Sequence, residues 1–486
     1  MKKISLIVLL TICVIVSVLV IRTIRFTSRQ VQAPPAEKLD LDREMTVKRL
    51  SQAIQFRTVS SGTPSQSTVA EFERFQAFLA TAFPRVHARL TKEIIGGHSL
   101  LYTWNGADSR LKPILLMAHM DVIPVDTTTE SSWRQPPFSG EIADGFIWGR
   151  GTMDDKASVL GILEAVEHLL DESYRPQRTI LLAFGHDEEV GGHNGAAKIA
   201  ALLGARKIEL EFVLDEGLNI LDGIISGVTA PVALIGIAEK GYLSLKLSVQ
   251  AAGGHSSIPP ADSAINTLSR ALQKLAAAPF PPRIGGTVQQ MLEFLGPEMR
   301  WVRKLALANL WLFEPMVTRQ LATSPLTNAA IRTTVAPTIF NAGVQDDVLP
   351  TTATAVINLR ILPGDTIAGV TEHVRRAIDD SRVSITRLSV QMEPSAVSDA
   401  DNASFKLLHQ TIRQIVPQAI VAPSLLVAAT DSRHYASLTT NVYRFLPITL
   451  KPDDAKRYHG IDERISVEDY ERLIRFYAQL IRNSQP

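Results

Sequence analysis

The chain has 486 residues, more than one ordinary hydrophobic core holds, which predicts two domains or one large domain that carries an insertion. Its 45% hydrophobic and 20% charged residues exclude a disordered chain, and its formal net charge of +1 gives no electrostatic reason to expect a nucleic-acid partner. The only cysteine, Cys13, lies in the N-terminal apolar segment, so the body of the protein has no disulfide, no cysteine-based zinc site and no thiol nucleophile.

The N-terminal segment 1–35 is predicted to be a membrane anchor or a signal, with a linker behind it. Lys2 and Lys3 precede an uncharged, mostly apolar run over residues 4–21, which has the length needed to span a bilayer as a helix. The apolar region of a signal peptide is shorter, about 7–15 residues, so we favour an uncleaved anchor with the body outside the cytoplasm. Cleavage after Ala33, which would release a secreted protein, is the alternative. The orientation stays open, because arginines also flank the far end of the run.

Past the linker, helical and strand-like patterns alternate. Apolar residues at helical spacing predict three helices, over residues 41–56, 68–83 and 156–170. Short apolar runs predict three buried strands, over residues 114–118, 179–184 and 212–214. Because strand–helix–strand alternation is typical of a largely parallel sheet, we expect functional groups at the ends of these strands.

The pattern changes near residue 241 and changes back near residue 397. Between them, a small α+β unit is predicted, with strands at 242–249, 353–361 and 383–390 and helices at 264–275 and 370–378. We therefore expect residues 241–396 to be inserted into a main domain built from residues 36–240 and 397–486. A helix over 466–483, with a capping box at Ser466 and Asp469, ends the chain.

The most informative motif is an apolar run that ends abruptly in His-x-Asp. His119 ends the predicted strand, and residues two apart on a strand share a face, so Asp121 can accept a hydrogen bond from the His119 ring. A carboxylate behind an imidazole is the usual partner of a metal-binding histidine. Taken alone, the pair is equally consistent with a chance arrangement at a strand end.

Further acidic residues follow strands or loops. A glycine-rich loop delivers Asp154 just before a helix, and its acidic character argues against the alternative, a pyrophosphate-binding loop. Residues 186–189 put four polar side chains after a buried strand, which is costly unless they are paired or bind a cation. Asp215 and Glu216 repeat this pattern after the third strand, and His459 adds a second imidazole far along the chain.

Together these are two histidines and at least three carboxylates, mostly at strand ends. Such a set suits a pair of Zn²⁺ or similar ions bridged by a carboxylate. Two such ions, about 3.5–4 Å apart, polarise a carbonyl and generate hydroxide near neutral pH. The chain has no Gly-x-Ser-x-Gly turn, which argues against a metal-independent serine hydrolase.

With these motifs the chain resembles the dinuclear zinc exopeptidases, the family of aminoacylase, acetylornithine deacetylase, succinyl-diaminopimelate desuccinylase and carboxypeptidase S. The resemblance covers nearly everything after the N-terminal anchor and rests on residues 119–121, 133–140, 148–156, 187–192, 253–257 and 459–460. Residues 430–434 and the long insert look most like the carboxypeptidase S and N-acyl-amino-acid hydrolase branch. The implied fold is α/β, a mixed sheet flanked by helices, with an inserted α+β lid or dimerisation domain.

The resemblance implies a dinuclear metal site. His119 and Asp215 would hold one metal ion, Glu189 and His459 would hold the other, and Asp154 would bridge the two. Zinc is the metal that the family binds, and imidazole and carboxylate ligands suit it.

The resemblance also implies the residues that act on the substrate. Asp121 would orient the metal-binding imidazole, and Glu188 would be the general base. His255, in the lid, would hydrogen-bond the developing oxyanion, in many relatives across a dimer interface. After the third strand Asp215 and Glu216 both fit as ligand, and we prefer Asp215.

A substrate with a free carboxylate needs a cation to recognise it. Arg433 fits by motif, Arg360 is a second candidate, and Asn341 is a further candidate contact. Where the family commonly has Asn-Val-Ile-Pro, this chain has Asp347 followed by Val-Leu-Pro. An ionised carboxylate cannot donate a hydrogen bond, so the substrate preference of relatives does not transfer directly. Trp301, Trp311 and Phe313 either pack a helical extension, which we favour, or line a pocket for a fatty acyl group.

The motifs and the resemblance therefore imply a metal-dependent hydrolase that cleaves the amide bond of a small peptide or an N-acyl amino acid. Closure of the lid would bring His255 to the metals and exclude water. The alternative is a catalytically inactive binding protein on the same fold, against which the intact Glu188 argues. The sequence does not choose between the two substrate classes, and a homodimer is compatible with the resemblance.

Overall fold

The structure, a computed structural model, describes residues 2–60 and 66–485. Over these residues the chain forms nineteen strands and fourteen α-helices. The strands are β1 Thr91–Ile95, β2 Ser99–Trp104, β3 Ile114–His119, β4 Ile142–Ala143, β5 Phe146–Trp148, β6 Ile180–Gly185, β7 Val213–Asp215, β8 Ile220–Leu221, β9 Val232–Glu239, β10 Gly241–Gln250, β11 Gly254–His255, β12 Thr334–Ala342, β13 Val348–Leu349, β14 Thr352–Ile361, β15 Val383–Met392, β16 Ile420–Leu426, β17 Val442–Arg444, β18 Thr449–Leu450 and β19 Arg464–Ser466. The helices are α1 Lys2–Arg25, α2 Arg43–Ile54, α3 Gln66–Ala82, α4 Pro84–Arg89, α5 Lys156–Asp171, α6 Ala196–Ala205, α7 Ala264–Ala277, α8 Gly286–Leu295, α9 Trp301–Ala308, α10 Leu310–Leu321, α11 Pro325–Ile331, α12 Ile367–Ile378, α13 Ala403–Ile415 and α14 Val467–Asn483. Short 3-10 helices lie at Glu130–Ser132, Glu188–Val190, Gly296–Glu298, Asp431–Tyr435 and Asp454–Arg457.

Two sheets organise these elements. The larger has ten strands in the order β1-β2-β6-β3-β7-β17-β9-β8-β18, with β16 paired to β9. The smaller has four strands in the order β12-β14-β10-β15. Strands β6, β3, β7 and β17 run parallel to one another, whereas the pairs β1–β2, β2–β6, β17–β9 and β8–β9 are antiparallel. The sheet is therefore mixed, as the resemblance implied, and less parallel than the alternation of elements alone predicts.

Strand β3 lies in the middle of the larger sheet, between β6 and β7 and parallel to both. Every residue of β3 is buried, and successive side chains point to opposite faces. Leu116 belongs to the core under α2, α5 and α14, while Leu115 belongs to the core under α6. Helices thus cover both faces of the sheet, and His119, the last residue of β3, reaches the edge at which β6 also ends.

The helices and strands predicted from apolar spacing are all present, and their ends differ by a few residues at most. The predicted cap of the last helix is confirmed, because the Ser466 hydroxyl accepts a hydrogen bond from the Asp469 N–H at 3.0 Å. Several strands were not predicted, among them β1, β2, β9 and β16.

The smaller sheet belongs to the inserted segment. Strand β10 pairs antiparallel with both β14 and β15, and burial alternates along β14 because one face packs against α7 and α12. Strand β10 begins at Gly241 and β15 ends at Met392, so the chain enters and leaves this sheet at one end. The ten residues of β10 span about 33 Å, which puts the β11–β13 pair near the opposite end.

Part of the predicted insertion packs against the main domain instead. Phe294 and Leu295 of α8 are buried in the main core, where Phe294 contacts Phe405 with ring centroids 5.8 Å apart. Trp301 and Trp311, in α9 and α10, are 51% and 55% exposed. Phe313, by contrast, packs against the buried cluster of the helical extension, so the favoured interpretation holds for Phe313 and leaves about half of each tryptophan exposed.

One helix among the described residues is long and apolar enough to cross a membrane. It is α1, and its apolar side chains lie outside the core of the protein. A signal sequence near an N-terminus meets the same criterion, so length and composition alone do not separate an anchor from a signal.

The contact between α5 and α14 generates a stability prediction. A methyl group on Gly161 would collide with the buried Leu473 side chain, whereas one on Gly204 of α6 would meet only Leu438, at 3.6 Å. Overpacking costs about 1–3 kcal/mol, more than the up to ~1 kcal/mol gained when alanine replaces a helical glycine. We expect Gly161→Ala to lower the thermal unfolding midpoint of the full chain and Gly204→Ala to leave it unchanged or raise it. Equal midpoints for the two variants would contradict this packing.

Candidate metal centre

The first histidine lies at the buried end of β3 and is held by residues that follow it. His119 Nδ1 is 3.0 Å from the Asp121 carbonyl oxygen and 3.4 Å from its carboxylate. That carboxylate also accepts hydrogen bonds from the N–H groups of Glu188 (3.2 Å) and Glu189 (3.1 Å) and from the Ser60 hydroxyl (2.5 Å). Although burial acts to raise it, the His119 ring and the Ser60 hydroxyl hold the pKa of Asp121 below its ordinary value. Asp121 thus holds both the His119 imidazole and the turn that carries Glu188 and Glu189, called the glutamate turn below.

Asp154 lies between the two predicted histidines and faces each with one oxygen. Its Oδ1 is 2.9 Å from His119 Nε2, and its Oδ2 is 3.0 Å from His459 Nε2. Glu216 Oε1 lies 3.4 Å from the same His119 nitrogen, and Glu189 Oε2 lies 3.3 Å from the His459 nitrogen. In each three-residue group the candidate ligand atoms lie within 4.8 Å of one another. Two groups that share one carboxylate have the arrangement expected of two adjacent cation sites.

The residue that β7 brings to His119 is Glu216, not Asp215 as we preferred. Asp215 Oδ2 instead accepts a hydrogen bond from the Ser432 N–H at 2.8 Å. Successive residues at the end of a strand point to opposite sides, so only one of the pair can face His119. The structure therefore places Glu216, and not Asp215, in the group around His119.

A carboxylate with no predicted role, Glu463, holds the loop that carries Asp154. Its Oε1 accepts hydrogen bonds from the N–H groups of Gly151 (2.9 Å), Met153 (2.9 Å) and Asp154 (3.3 Å). Its Oε2 accepts from the Arg150 guanidinium at 2.5 Å. Burial raises the pKa of Glu463 to about 7, against the opposing effect of Arg150. This one side chain ties the loop of the second histidine to the loop of the shared carboxylate.

The carboxylates of the two groups crowd one another in a buried space. Glu189 Oε1 is buried and has no hydrogen-bond partner among the described residues. Burial raises the pKa of Glu189, and the charge on Asp154 adds to the effect. The same two causes raise the pKa of Glu216 to about 8. Three properties of these groups fit divalent cations such as Zn²⁺. One buried carboxylate oxygen is unpaired, the carboxylates resist ionising together, and imidazole nitrogens point at them.

Glu188 lies beside both groups and belongs to neither. It is half-buried and begins the 3-10 helix Glu188–Val190, on the turn that Asp121 holds. Burial raises the pKa of Glu188 well above its usual range, and nearby carboxylates, Asp431 first among them, add to the effect.

Asp431 is a further buried acid next to the centre that sequence reasoning missed. Neither of its carboxyl oxygens has a hydrogen-bond partner among residues 2–60 and 66–485. Burial and the neighbouring Asp215 raise its pKa well above the usual range. Gly192 makes room for it, since a Cβ there would collide with Asp431 Oδ1. The motif at residues 430–434 was the available signal, but it drew attention only to Arg433.

Arg433 lies close to the glutamate turn. Its guanidinium donates hydrogen bonds to the carbonyl oxygens of Thr430 (3.0 Å) and Gly191 (2.8 Å), and it is half-buried. The loop that carries it is fixed by a buried ion pair, in which Arg444 Nε lies 2.9 Å from Glu239 Oε1. The same glutamate oxygen accepts hydrogen bonds from the N–H and the hydroxyl of Thr430.

The other three predicted substrate residues do not contact the centre. His255 is exposed on β11, where its ring contacts the Ser257 hydroxyl at 2.8 Å. Asn341 is exposed on β12, and Arg360 on β14 lies over the Tyr242 ring, 4.8 Å from its centroid. Asn341 and Arg360 belong to the smaller sheet and His255 to the two-stranded β11–β13 pair, and none of the three lies among the candidate metal ligands. The predicted contact of His255 by closure of the lid stays a prediction.

The departure at Asp347 lies next to His255 in space. The Asp347 carbonyl oxygen accepts a hydrogen bond from the Ser256 N–H at 2.9 Å, across the β11–β13 pair. Asp347, an acidic residue where the family commonly has asparagine, therefore lies close to His255, the residue predicted to contact the oxyanion.

Comparison with known proteins identifies a family. The model of peptidase family M20/M25/M40 matches residues 115–483. The chain is 44% identical over 97% of its length to a probable carboxypeptidase S-like 2 of Dictyostelium discoideum, and covers 92% of that protein. It is 42% identical over 97% of its length to the N-fatty-acyl-amino acid synthase/hydrolase PM20D1 of Xenopus tropicalis, and covers 93% of it. Carboxypeptidase S of Saccharomyces cerevisiae is 30% identical over 91% of the chain, which covers 84% of that protein.

Solved structures share the fold. The M20 family metallo-carboxypeptidase Sso-CP2 of Sulfolobus solfataricus matches 90% of this chain and 98% of its own, with a TM-score of 0.66 and 17% identity. Human carnosine dipeptidase 1 matches 91% of this chain and 96% of its own, with a TM-score of 0.64 and 14% identity. The expected mixed α/β fold is thereby confirmed. The chain belongs to peptidase family M20/M25/M40, and it is a metal-dependent hydrolase.

Proposed function

We propose that this hydrolase cleaves the amide bond of N-acyl amino acids and binds two zinc ions to do so. The observation that carries the proposal is Asp154, whose two oxygens face two histidines, each with its own glutamate. A relative of 42% identity over 97% of the chain is named an N-fatty-acyl-amino acid synthase/hydrolase, which supports this substrate class.

Each ion would have its own histidine and glutamate. His119 and Glu216 would hold one ion, Glu189 and His459 the other, and Asp154 would bridge them. Two bound ions polarise an amide carbonyl and lower the pKa of water to near neutrality.

The side chains around the centre would handle protons and geometry. Glu188, outside both ligand groups, would take a proton from the attacking water and deliver it to the leaving nitrogen. Asp121 would keep that base and His119 in register, because its carboxylate contacts both. Arg433 would bind the free carboxylate of the amino acid through guanidinium N–H groups not used by Thr430 and Gly191.

The inserted segment would act as a lid. We propose that residues 36–240 and 397–486 form the catalytic domain and that residues 241–396 include the lid sheet. Since His255 is near the end of that sheet farthest from Gly241, a small rotation about the junction would move it far. His255 would then stabilise the oxyanion, either by closure of its own lid or from a second copy in a dimer. Arg360 and Asn341 would approach the substrate by the same movement.

Carboxypeptidase activity is the second candidate. Relatives named carboxypeptidase S-like 2 and carboxypeptidase S favour a peptide whose C-terminal bond is cleaved. Both substrate classes present a free carboxylate next to an amide, so the same Arg433 contact would serve either. They differ in the group on the far side of the carbonyl.

We further propose that α1 remains as a membrane anchor with the catalytic domain outside the cytoplasm. Its last turns contact the body of the protein: Arg22 Nε donates a hydrogen bond to the Ala308 carbonyl oxygen at 3.2 Å. A segment removed by cleavage would lose this contact.

The ligand assignment is tested by metal content. We expect Glu216→Gln to weaken binding of one zinc ion by more than the roughly 10–100-fold typical of a residue that only supports a ligand. Asp215→Asn, the matched control, removes the same charge one residue away and should keep both ions. Zinc per chain and competition with a chelator measure this. Loss of an ion in the Asp215 variant alone would restore the original preference.

The substrate class and the base are tested together. The full chain should release amino acid from N-acyl amino acids of varied acyl length, and a chelator should abolish the activity. Glu188→Gln should lower kcat by about 10²–10⁴-fold, because general acid–base catalysis contributes that much, while zinc content stays at the wild-type value. Faster cleavage of dipeptides than of every N-acyl amino acid would favour the second candidate, and retained turnover in the variant would remove Glu188 as base.

The carboxylate contact is tested with paired substrates. Arg433→Ala should lower kcat/KM for an N-acyl amino acid by about 10–100-fold, since hydrogen bonds to charged groups contribute about 1.5–3 kcal/mol. The corresponding C-terminal amide, which lacks the charge, should be cleaved by variant and wild type at similar rates. Arg360→Ala is the comparison variant. Equal losses on acid and amide would show that Arg433 only supports the loop.

A further inference from the structure

Over its first two turns, helix α10 presents an apolar face to the outside of the protein. Trp311, Leu312 and Met316 are 55%, 45% and 56% exposed, while Val317, on the opposite side of the helix, is buried. The outer face of a surface helix is normally polar, so this face is expected to have a partner. Val302, in the preceding helix α9, is 78% exposed and extends the apolar surface.

The corner between α9 and α10 contacts the end of α1. Asn309, which is buried there, donates hydrogen bonds from Nδ2 to the Leu19 carbonyl oxygen (3.2 Å) and to the Thr23 hydroxyl (3.3 Å). Arg22 donates to the carbonyl oxygen of Ala308 at 3.2 Å. The corner is thus joined to α1 at the level of Leu19–Thr23.

This level fixes the depth of the corner in a membrane. Residues 4–21 would extend about 27 Å as a helix, slightly less than the ~30 Å hydrocarbon core, so the whole run is needed to span it. Leu19 then lies at the edge of the hydrocarbon, and Arg22 lies in the headgroup layer. Asn309 contacts Leu19, at the edge of the hydrocarbon, and Thr23, which follows Arg22. The α9–α10 corner must therefore lie in the membrane–water interface.

The connection between α1 and the body is supported on both sides of the corner. Phe26, just past α1, packs so closely on Gly296 that a Cβ there would collide with its ring. Gly296 directly follows α8, whose Phe294 is buried in the main core. The body therefore has little freedom to swing away from α1.

The residues around this surface suit a lipid interface. Trp301 and Trp311 are amphipathic rings of the kind that concentrate at headgroup level. Arg25 and Arg300 are exposed nearby, and each basic residue close to an anionic surface contributes about 1 kcal/mol of attraction.

We propose that the apolar surface of α9 and α10, formed by Trp301, Val302, Trp311, Leu312 and Met316, docks on the headgroup layer of the bilayer that α1 spans. The inference rests on the proposed anchoring by α1. It adds that the body lies against the membrane in one orientation, and does not hang from a flexible tether.

The test uses the full chain in vesicles of phosphatidylcholine and phosphatidylserine. Cys13→Ala removes the only cysteine, and Leu312→Cys or Met316→Cys then carries an environment-sensitive fluorophore. Val344→Cys, on a lid residue that is 98% exposed, is the control. Labels on α10 should emit at shorter wavelength than the control and be quenched several-fold more strongly by lipids with a nitroxide near the headgroup.

A label-free measurement guards against misfolded variants. Brominated lipid should quench the native tryptophan fluorescence of the wild type, and Trp311→Phe should lose part of that quenching. If labels on α10 are quenched no more than the one at residue 344, while carbonate fails to extract the protein, the docking is refuted and the anchor stands. If carbonate extracts the protein, but the α10 labels are strongly quenched when carbonate is left out, the anchor alone is refuted. If carbonate extracts the protein and the α10 labels are only weakly quenched, both the anchor and the docking are refuted.

Discussion

Mutual repulsion among buried carboxyl groups is the constraint around which this protein is arranged. Asp154, Glu188, Glu189, Glu216 and Asp431 surround two imidazoles where β3, β6 and β7 end. Two like charges 4 Å apart repel by about 4 kcal/mol at the effective dielectric of a protein surface, and more inside. Packed without cations, such a set would favour a loosened sheet edge or protonated acids. Metal binding removes that conflict, so the free energy of binding also stabilises the fold.

A different set of acids holds this arrangement in place. Asp121, Glu463 and Glu239 are buried, and each accepts hydrogen bonds from backbone N–H groups of a loop that carries functional residues. Asp121 holds the glutamate turn, Glu463 holds the loop of Asp154, and Glu239 holds the loop of Arg433. The chain thus uses carboxylates in two ways: some form the two groups of candidate metal ligands, and others replace the regular backbone pairing that strand ends lack.

The sequence predicted the elements that apolar periodicity encodes, together with both histidines and the shared aspartate. The short motifs carried that information because strand ends and loops place them predictably. Choosing between Asp215 and Glu216 required the direction of each side chain at the end of β7, which a one-residue shift reverses. Glu463 was missed because its partners are hundreds of residues away, and Asp431 because its carboxyl oxygens have no hydrogen-bond partner in the part of the chain that the structure describes. The exposure of Trp311 depends on what surrounds the folded chain.

The order of the ligands along the chain has a consequence for synthesis. His119, Asp154, Glu189 and Glu216 leave the ribosome early, but His459 and Glu463 emerge only with the last strand and helix. Until then the nascent chain holds a cluster of acids that lacks one of its five candidate metal ligands, His459, and the Asp154 loop lacks its partner Glu463. A chain that stops before His459 would therefore lack one histidine of the centre and bind metal more weakly, which would expose incomplete products to chaperones and proteases. The metal centre would thus be complete only when translation is nearly finished.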